Sequence, residues 1–549
     1  MRTISLLLLL PSLSWAGPLS SDTIERAVSA EISRSTEALQ LEGYPPPYYL
    51  SVRVNETRHA ELRCARGGVR NESSSRQLLA TPDVRVGSYE LDNHPLAPSD
   101  RYVGREIPDI DDALAVRHGL WLKLDEEYKG AAADFLRKQA LRVRRGKTEY
   151  DTDDFTREEP RSIEDPPALP AFDADGAAAA ARCSAMSRDV EGKDVLGSFV
   201  EVQRETQRGW FLDSSGAKVR SAGSWARLEA GAQAMTGDGM RVNAYRSFMA
   251  PTAAGLPDPA RLAKTAREMV ADLAALKAAS STSPFNAPAL IDPSVGAAVV
   301  QALASRLSGD EQRNPDGAQT FRDRLGKAVL PEAISLDDDP TLAEFQGEPL
   351  VGHYAVDDQG VPARKVTLVE KGVLKNFLLS RYPVIGFARS NGHGRAEPGR
   401  DPMGRAANLV LRVDHPLSEP QLLDRLREET AKRGKPYGIY IKKARSWTQQ
   451  DKTGQQQAFR LLPTLVYVVD AKTGAQTLVR DLDMVGTPLD LLGRILAAGD
   501  DARVTSGFVD QPSGSLPVSA VCPTLLLGEV ELQRAETKPE RPMVLPAPR

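Results

Sequence analysis

Few side chains in this sequence are spaced for chemistry. The two nearest of its six histidines (His59, His94, His118, His353, His393 and His415) are 22 positions apart. No pair can therefore chelate a metal from one helix, and only a zinc site built from distant ligands stays open. No HExxH, GxSxG elbow or GxxxxGK[ST] cradle occurs, and no GxGxxG follows a strand. Ser215 and Lys218 match SxxK, in which a lysine one helical turn away takes the serine proton. Here Asp213-Ser214-Ser215-Gly216 signals a hairpin tip instead, where that geometry fails. Asp357-Asp358, followed by Gln359-Gly360, reads as a hairpin turn rather than a catalytic dyad. The loop 390–405 is richer. It carries Gly392, Gly394, Gly399 and Gly404 with Arg395, Arg400 and Arg405, just after Arg389. Glycines admit a close backbone and arginines grip carboxylates bidentately. A turn-rich connector would look the same, and both readings stand.

The cysteines are Cys64, Cys183 and Cys522, an odd number with no CxxC. At least one thiol is unpaired within the chain. All three read as buried inert thiols, Cys183 following the small-residue run Ala177–Ala181. A disulfide is the alternative.

These residues sit in a chain of 549, enough for two to four domains. Lys and Arg total 70 against 74 Asp and Glu, giving net charge −4. That balance excludes a nucleic-acid binder relying on a global positive field. With 41% hydrophobic and 26% charged residues, the chain is neither disordered throughout nor fibrous. Arg2, the apolar run Ile4–Leu13 and Ser14-Trp15-Ala16 read as a secretory signal cut after Ala16. The run is too short to span a bilayer and no later segment is long and apolar enough, so an exported, periplasmic or secreted protein with no membrane span is expected.

Helical spacing is expected over 22–41 and 110–146. Further helices open at Asp258-Pro259, Asp292-Pro293, Ser418-Glu419-Pro420 and Thr487-Pro488, the last running to Gly499. Strands are expected at 48–54, 59–64, 84–89, 197–204, 208–213, 217–221 and through 225–247. A meander follows over 351–356, 366–369 and 373–379, then strands at 437–442 and 462–469. Residues 149–175 hold ten acidic residues, two basic ones and four prolines, the composition of a long exposed loop.

From 288 to 528 the chain resembles the TldD/PmbA family, a metallopeptidase family once named modulators of DNA gyrase. The carrying residues are Asp337-Asp338-Asp339-Pro340, Val356–Pro362, Leu368–Leu374, Asn391-Gly392-His393-Gly394-Arg395, Pro402, Arg405, Asn408 and Asp483–Pro488. The resemblance implies an α+β fold: an N-terminal α/β domain, then a C-terminal domain of antiparallel sheet with packed helices. The expected boundaries are a signal at 1–16, an N-terminal and middle region at 17–282 and a C-terminal domain at 283–549. TldD-like members carry HExxxH and a distant cysteine around zinc; PmbA-like members lack them and pair with the catalytic subunit. The helix ending in Leu307-Ser308-Gly309-Asp310 places Val300 and Ser305 at the histidine positions and Gln301 at the glutamate. Val509 falls at the cysteine. No catalytic residue, metal ligand or cofactor is therefore assigned, although the family implies zinc. The expected function is a non-catalytic peptide-binding or partner subunit. Alternatives are an active metallopeptidase with a non-standard ligand set and a structural envelope protein using the scaffold only. Arg395, Arg405, Asn408 and Gln301 are the candidate peptide-binding residues. The expected partners are a TldD-like catalytic subunit or a second copy, and an extended peptide, with no nucleic acid.

Overall fold

Two helix pairs and one long antiparallel sheet form the N-terminal half. The computed structural model describes residues 19–535 except 96, 98–99, 147–151, 164–165, 167, 193–194, 315–319 and 448–458. The signal expected at 1–16 lies outside the described residues. The sheet's principal strands are Pro47–Ala65, Gly68–Val86, Gly197–Asp213 and Lys218–Met235. Each is far longer than the fragments expected from sequence. Along Pro47–Ala65, even-numbered Leu50, Val52, Val54, Leu62 and Cys64 share one buried face, and over 49–56 the opposite face, with Tyr49, Ser51, Arg53 and Asn55, is buried too. Helices α1 (Ser21–Ala38) and α2 (Ala113–Arg145) cover one end of that face around Leu50, Val52 and Trp210. Helices α3 (Phe172–Asp189) and α4 (Pro259–Ala278) cover the other end around Leu62, Val202 and Leu228.

Two readings are corrected in this half. Cys64 and Cys183 form a disulfide joining the sheet to α3, so only Cys522 remains a free, buried thiol. Part of the acidic segment 149–175 is buried rather than exposed. Asp154 pairs with Lys138 at 2.6 Å and Arg313 at 2.9 Å. Phe155 packs between Tyr49 and Tyr382. Two opposite charges on one buried carboxylate offset the desolvation that composition alone predicts would keep it in water.

The C-terminal half contains two larger sheets with α5 (Pro293–Ser305) between them. In the first, Tyr437–Trp447, Phe285–Ile291, Leu525–Arg534, Leu482–Gly486 and Phe459–Asp470 pair in that order, and the first also pairs with the last, closing a small barrel. The second sheet runs Val373–Leu374, Val366–Glu370, Ile334–Asp338, Asn408–Val413, Gly514–Cys522 and Arg503–Gln511. Thus Arg503–Gln511 is an edge strand. Asp292 caps α5 by accepting the Ser294 N–H at 3.0 Å, and Pro293 occupies its first turn. Short α6 (Gly309–Arg313) follows; α7 (Glu419–Lys432) carries a Ser418/Gln421 capping box and packs on the barrel. Helix α8 (Pro488–Gly493) stops short of Gly499 because Ile495–Ala498 pairs with Leu525–Leu527. The strand expected at 351–356 is absent: Val356 makes only an isolated bridge to Pro362. The fold is mixed, with mostly antiparallel sheets. No described helix is long and apolar enough to cross a membrane.

Candidate functional site

Helix α5 divides the chemistry of the C-terminal half. One face buries Val299, Val300 and Leu303 in the main core. The other, with Ser294, Ala298 and Gln301, lines a cleft of about 740 Å³. The opposite walls come from the N-terminal strands Lys218–Met235 and Arg241–Ala250. Barrel strand Tyr437–Trp447 and edge strand Arg503–Gln511 complete it. The cleft therefore exists only when both halves are assembled.

Its polar groups are largely paired with one another. Arg227 meets Glu229 at 3.2 Å, and Glu229 also accepts the Tyr245 hydroxyl. Burial and then Glu229 push that phenol well above its usual range. Arg246 and Lys443 share Asp272. Burial, then the Arg246 charge, hold the Lys443 ammonium below the ordinary lysine range. Arg503 meets Asp292 at 3.2 Å, the cap of α5. Trp225 and Phe508 meet edge to face at 4.8 Å. Among the described lining residues, the buried donors Gln301 Nε2 and Arg227 Nε have no hydrogen-bond partner, and Gln301 makes no ion pair besides.

Of the four candidate peptide-binding residues, only Gln301 lines this cleft. The other three lie outside it. Arg395 donates to the Ala406 and Pro517 carbonyls and lies 5.0 Å from the Tyr354 ring. Arg405 is 1% exposed and donates to Ser513 Oγ and to the Gly514 and Val509 carbonyls. Asn408 is fully buried, taking the Gly352 N–H and giving its amide to the Leu342 carbonyl. Their donors are spent within the protein, on backbone carbonyls and the Ser513 hydroxyl. The 390–405 loop is a wedge: Gly399 accepts from Val103 and Gly104, and Glu397 N–H donates to Ser513. Gly399 has φ +87°, and a Cβ there would strike the Tyr102 ring. Gly399 admits the N-terminal half, whereas Gly392, Gly394 and Gly404 pack against Pro362, Gln359 and Leu378 of the C-terminal half.

The other motif residues join the same buried hub. Asp338 accepts from Ala407 and Asn408 N–H. His393 is buried beside it, with Nε2 3.5 Å from Asp338 Oδ1 and Nδ1 3.0 Å from Asn391 Oδ1. Asp357 takes the N–H groups of Gln359, Val361 and Gly394, which makes the expected turn. Burial nonetheless pushes its carboxyl up to about 7. Ser215 also keeps its turn, its hydroxyl donating to Asp213 at 2.6 Å.

At the positions the family resemblance assigns to zinc, Val300 is fully buried in apolar core. The Ser305 hydroxyl donates to the Gln301 carbonyl at 3.0 Å. Val509 packs against the core, and its carbonyl accepts from Arg405. Helix α5 packs on the strand carrying Val509, and Gln511 reaches the Ser305 carbonyl at 2.9 Å. The structure thus brings the helix and the distant position together, with aliphatic, amide and hydroxyl side chains. None is an imidazole, carboxylate or thiolate, so the donor set does not fit zinc. Cys522, fully buried under α5 near Gly296 with its thiol pushed well up by burial, does not line the cleft.

The residues that sequence reasoning missed are the cleft's cations and aromatic residues. Lys442, Lys443 and Arg445 stand together on one strand. A basic cluster interrupting an apolar strand was the available signal.

Comparisons with known proteins agree with this architecture. Residues 284–534 match the family described as PmbA/TldA metallopeptidase C-terminal domain. A metalloprotease of Archaeoglobus fulgidus is 30% identical over 210 residues, 38% of this chain and 44% of that protein. A metalloprotease TldD homolog of Buchnera aphidicola from Acyrthosiphon pisum is 27% identical over 237 residues, 42% of this chain and 44% of that protein. The chain therefore spans less than half the length of these curated relatives. The crystal structure of TldE from Thermococcus kodakarensis superposes with TM-score 0.61 and 13% identity, covering 93% of this chain and 100% of that one. That likeness speaks to fold alone. Residues 284–534 thus match the PmbA/TldA metallopeptidase C-terminal domain, and the mixed, mostly antiparallel fold agrees with that match.

Proposed function

We propose that this chain is an exported peptide-binding or partner subunit of TldD/PmbA type that has lost the family's zinc chemistry. The observation that carries the reading is the cleft face of α5. There Gln301 takes the position of the family's general base, and an amide cannot accept a proton from a metal-bound water. Val300, Ser305 and Val509 supply no ligand, and among the described residues no group of three or more His, Cys, Asp or Glu gathers to hold a metal. What remains is a binding surface. The strand Arg503–Gln511 pairs on one side only, and an edge strand beside a cleft offers main-chain donors and acceptors to an extended peptide. Pairing with a TldD-like subunit is proposed because TldE from Thermococcus kodakarensis shares the fold. Export is proposed from the Arg2–Ala16 pattern and supported by the Cys64–Cys183 disulfide, a bond at home in oxidising compartments.

Metal analysis of purified protein, with peptidase assays with and without chelator, tests the reading. The expected result is no stoichiometric zinc and no chelator-sensitive cleavage, with extended peptides still bound. One zinc per chain together with chelator-blocked cleavage would overturn it. Mass spectrometry of exported protein should find a chain starting at Gly17 with one free thiol.

A further inference from the structure

The cleft is charged against the grain of the chain. The sequence has net charge −4, yet cations predominate on the cleft walls. Arg227, Arg246, Lys443 and Arg503 are engaged by carboxylates, as described above. Lys442 and Arg445 are not: neither has a carboxylate partner within ion-pair distance among the described residues. Lys442 Nζ instead lies 4.9 Å from the Tyr440 ring and 4.8 Å from Tyr467. The Arg445 guanidinium lies 5.1 Å from Tyr245. Aromatic faces hold a cation in place without neutralising it.

Their placement is built into the strand. Successive residues of a regular strand point to opposite faces, yet Lys442 and Lys443 both line the cleft. The register explains this: Ile441 pairs with Val466 and Lys443 with Leu465, leaving Lys442 as the extra residue of a bulge. A bulge re-aims a side chain. Lys442 lines the cleft from this bulge, opposite the edge strand Arg503–Gln511, with its ammonium against Tyr440 and Tyr467 just outside the lining.

We infer that this cleft selects extended peptides carrying carboxylate side chains, and that Lys442 and Arg445 are the residues that read them. The inference rests on the peptide-binding reading above and adds the class of ligand. A polynucleotide would also meet positive charge, but it needs open aromatic faces for its bases. Of the cleft's described aromatic rings, Tyr245 and Phe508 already carry Arg445 and Arg227, the latter at 5.3 Å, which leaves Trp225 alone for a base.

The test uses fluorescein-labelled peptides of nine residues, the length of the edge strand. They alternate Ala with Glu, Gln or Lys and are titrated by anisotropy against the intact chain, beside labelled oligothymidylate. The Glu peptide should bind about 10-fold or more tighter than the Gln peptide, the scale of a charge-assisted hydrogen bond. That margin should shrink as salt rises. Lys442→Glu combined with Arg445→Glu should abolish the preference or turn it towards the Lys peptide, and the milder Lys442→Gln/Arg445→Gln pair should abolish it. Arg425→Gln, on exposed α7 outside the cleft, should retain it. Equal affinity for Glu and Gln peptides would overturn the selectivity while leaving peptide binding intact. Binding of none would remove both readings. A Glu preference that survives both double variants, or tighter binding of oligothymidylate than of the Glu peptide, would also overturn the inference.

Discussion

The buried hub and the open cleft use the same side chains for opposite ends. In the hub, Arg395, Arg405 and Asn408 spend their donors on main-chain carbonyls and the Ser513 hydroxyl. In the cleft, Lys442 and Arg445 lie over tyrosine rings with no carboxylate, and Gln301 keeps a donor unpartnered. Both regions are rich in polar groups, mostly paired; His393 Nε2 in the hub, and Gln301 Nε2 and Arg227 Nε in the cleft, are buried without a hydrogen-bond partner. A sequence motif dense in glycine and arginine is therefore no guide to where a ligand goes. Glycines that admit a ligand and glycines that admit another part of the chain look alike until the neighbours are known.

The sharpest way to break this contrast runs through α5, which faces core and cleft at once. Val299→Asp places an unpaired carboxylate among fully buried residues. It should cost more than about 4 kcal/mol, and circular dichroism and thermal melts should show no cooperatively folded C-terminal half. A folded variant would mean that α5 is not the core helix described here. In the hub, Arg405→Ala strands the carbonyls of Val509 and Gly514. A loss of about 2–4 kcal/mol is expected from urea titration. If stability held and peptide affinity fell, Arg405 would belong to the binding surface after all.

A pH titration separates hub from cleft more finely. Asp357 has a folded pKa raised to about 7. A carboxyl with a raised folded pKa contributes its stability fully at pH below its unfolded value near 3.8, and loses it as pH rises towards 7. The wild-type chain should therefore lose part of its stability between those limits. Asp357→Asn, which cannot ionise, should flatten that segment of the curve. An unchanged slope would mean that the three N–H donors hold the carboxylate charged despite its burial.

Helix ends were legible in the sequence because capping is local. Asp258, Asp292 and Ser418 each sit at the start of a helix as their side chains predict. Helix α3 was not, since Ala171 gives it no side-chain cap and Gly176 lies within it. The long strands were broken in the reading because their exposed middle, Asn71 to Gln77, carries no apolar alternation. It is held by pairing with Pro47–Ala65, a long-range fact. Cleft residues were missed for the same reason. Arg227, Lys442 and Phe508 are distant in sequence, and only the packing of the two halves brings them together. The 390–405 loop was visible as a motif, but its role depended on Val103 and Ser513, which no local pattern names.

The smallest expected effect bears most directly on the contrast. If the cleft is a binding surface, Gln301 should matter to a ligand and hardly at all to the fold. Its Nε2 already lacks a partner, so Gln301→Ala removes an unpaired buried donor rather than a bond. Stability should change by no more than about 1 kcal/mol, in either direction, because losing side-chain packing opposes relief of the unmet donor. Affinity for an extended peptide should fall only about 2- to 12-fold, the scale of one neutral hydrogen bond. A Gln301→Glu variant adds a control, since it returns the family's side-chain type without any metal ligand; it should weaken an acidic peptide further by repulsion. Melting curves and anisotropy titrations on the same preparations read both quantities. If Gln301→Ala proved strongly destabilising with binding intact, the unpartnered amide would be part of the scaffold. The cleft would then resemble the hub more closely than its open walls suggest.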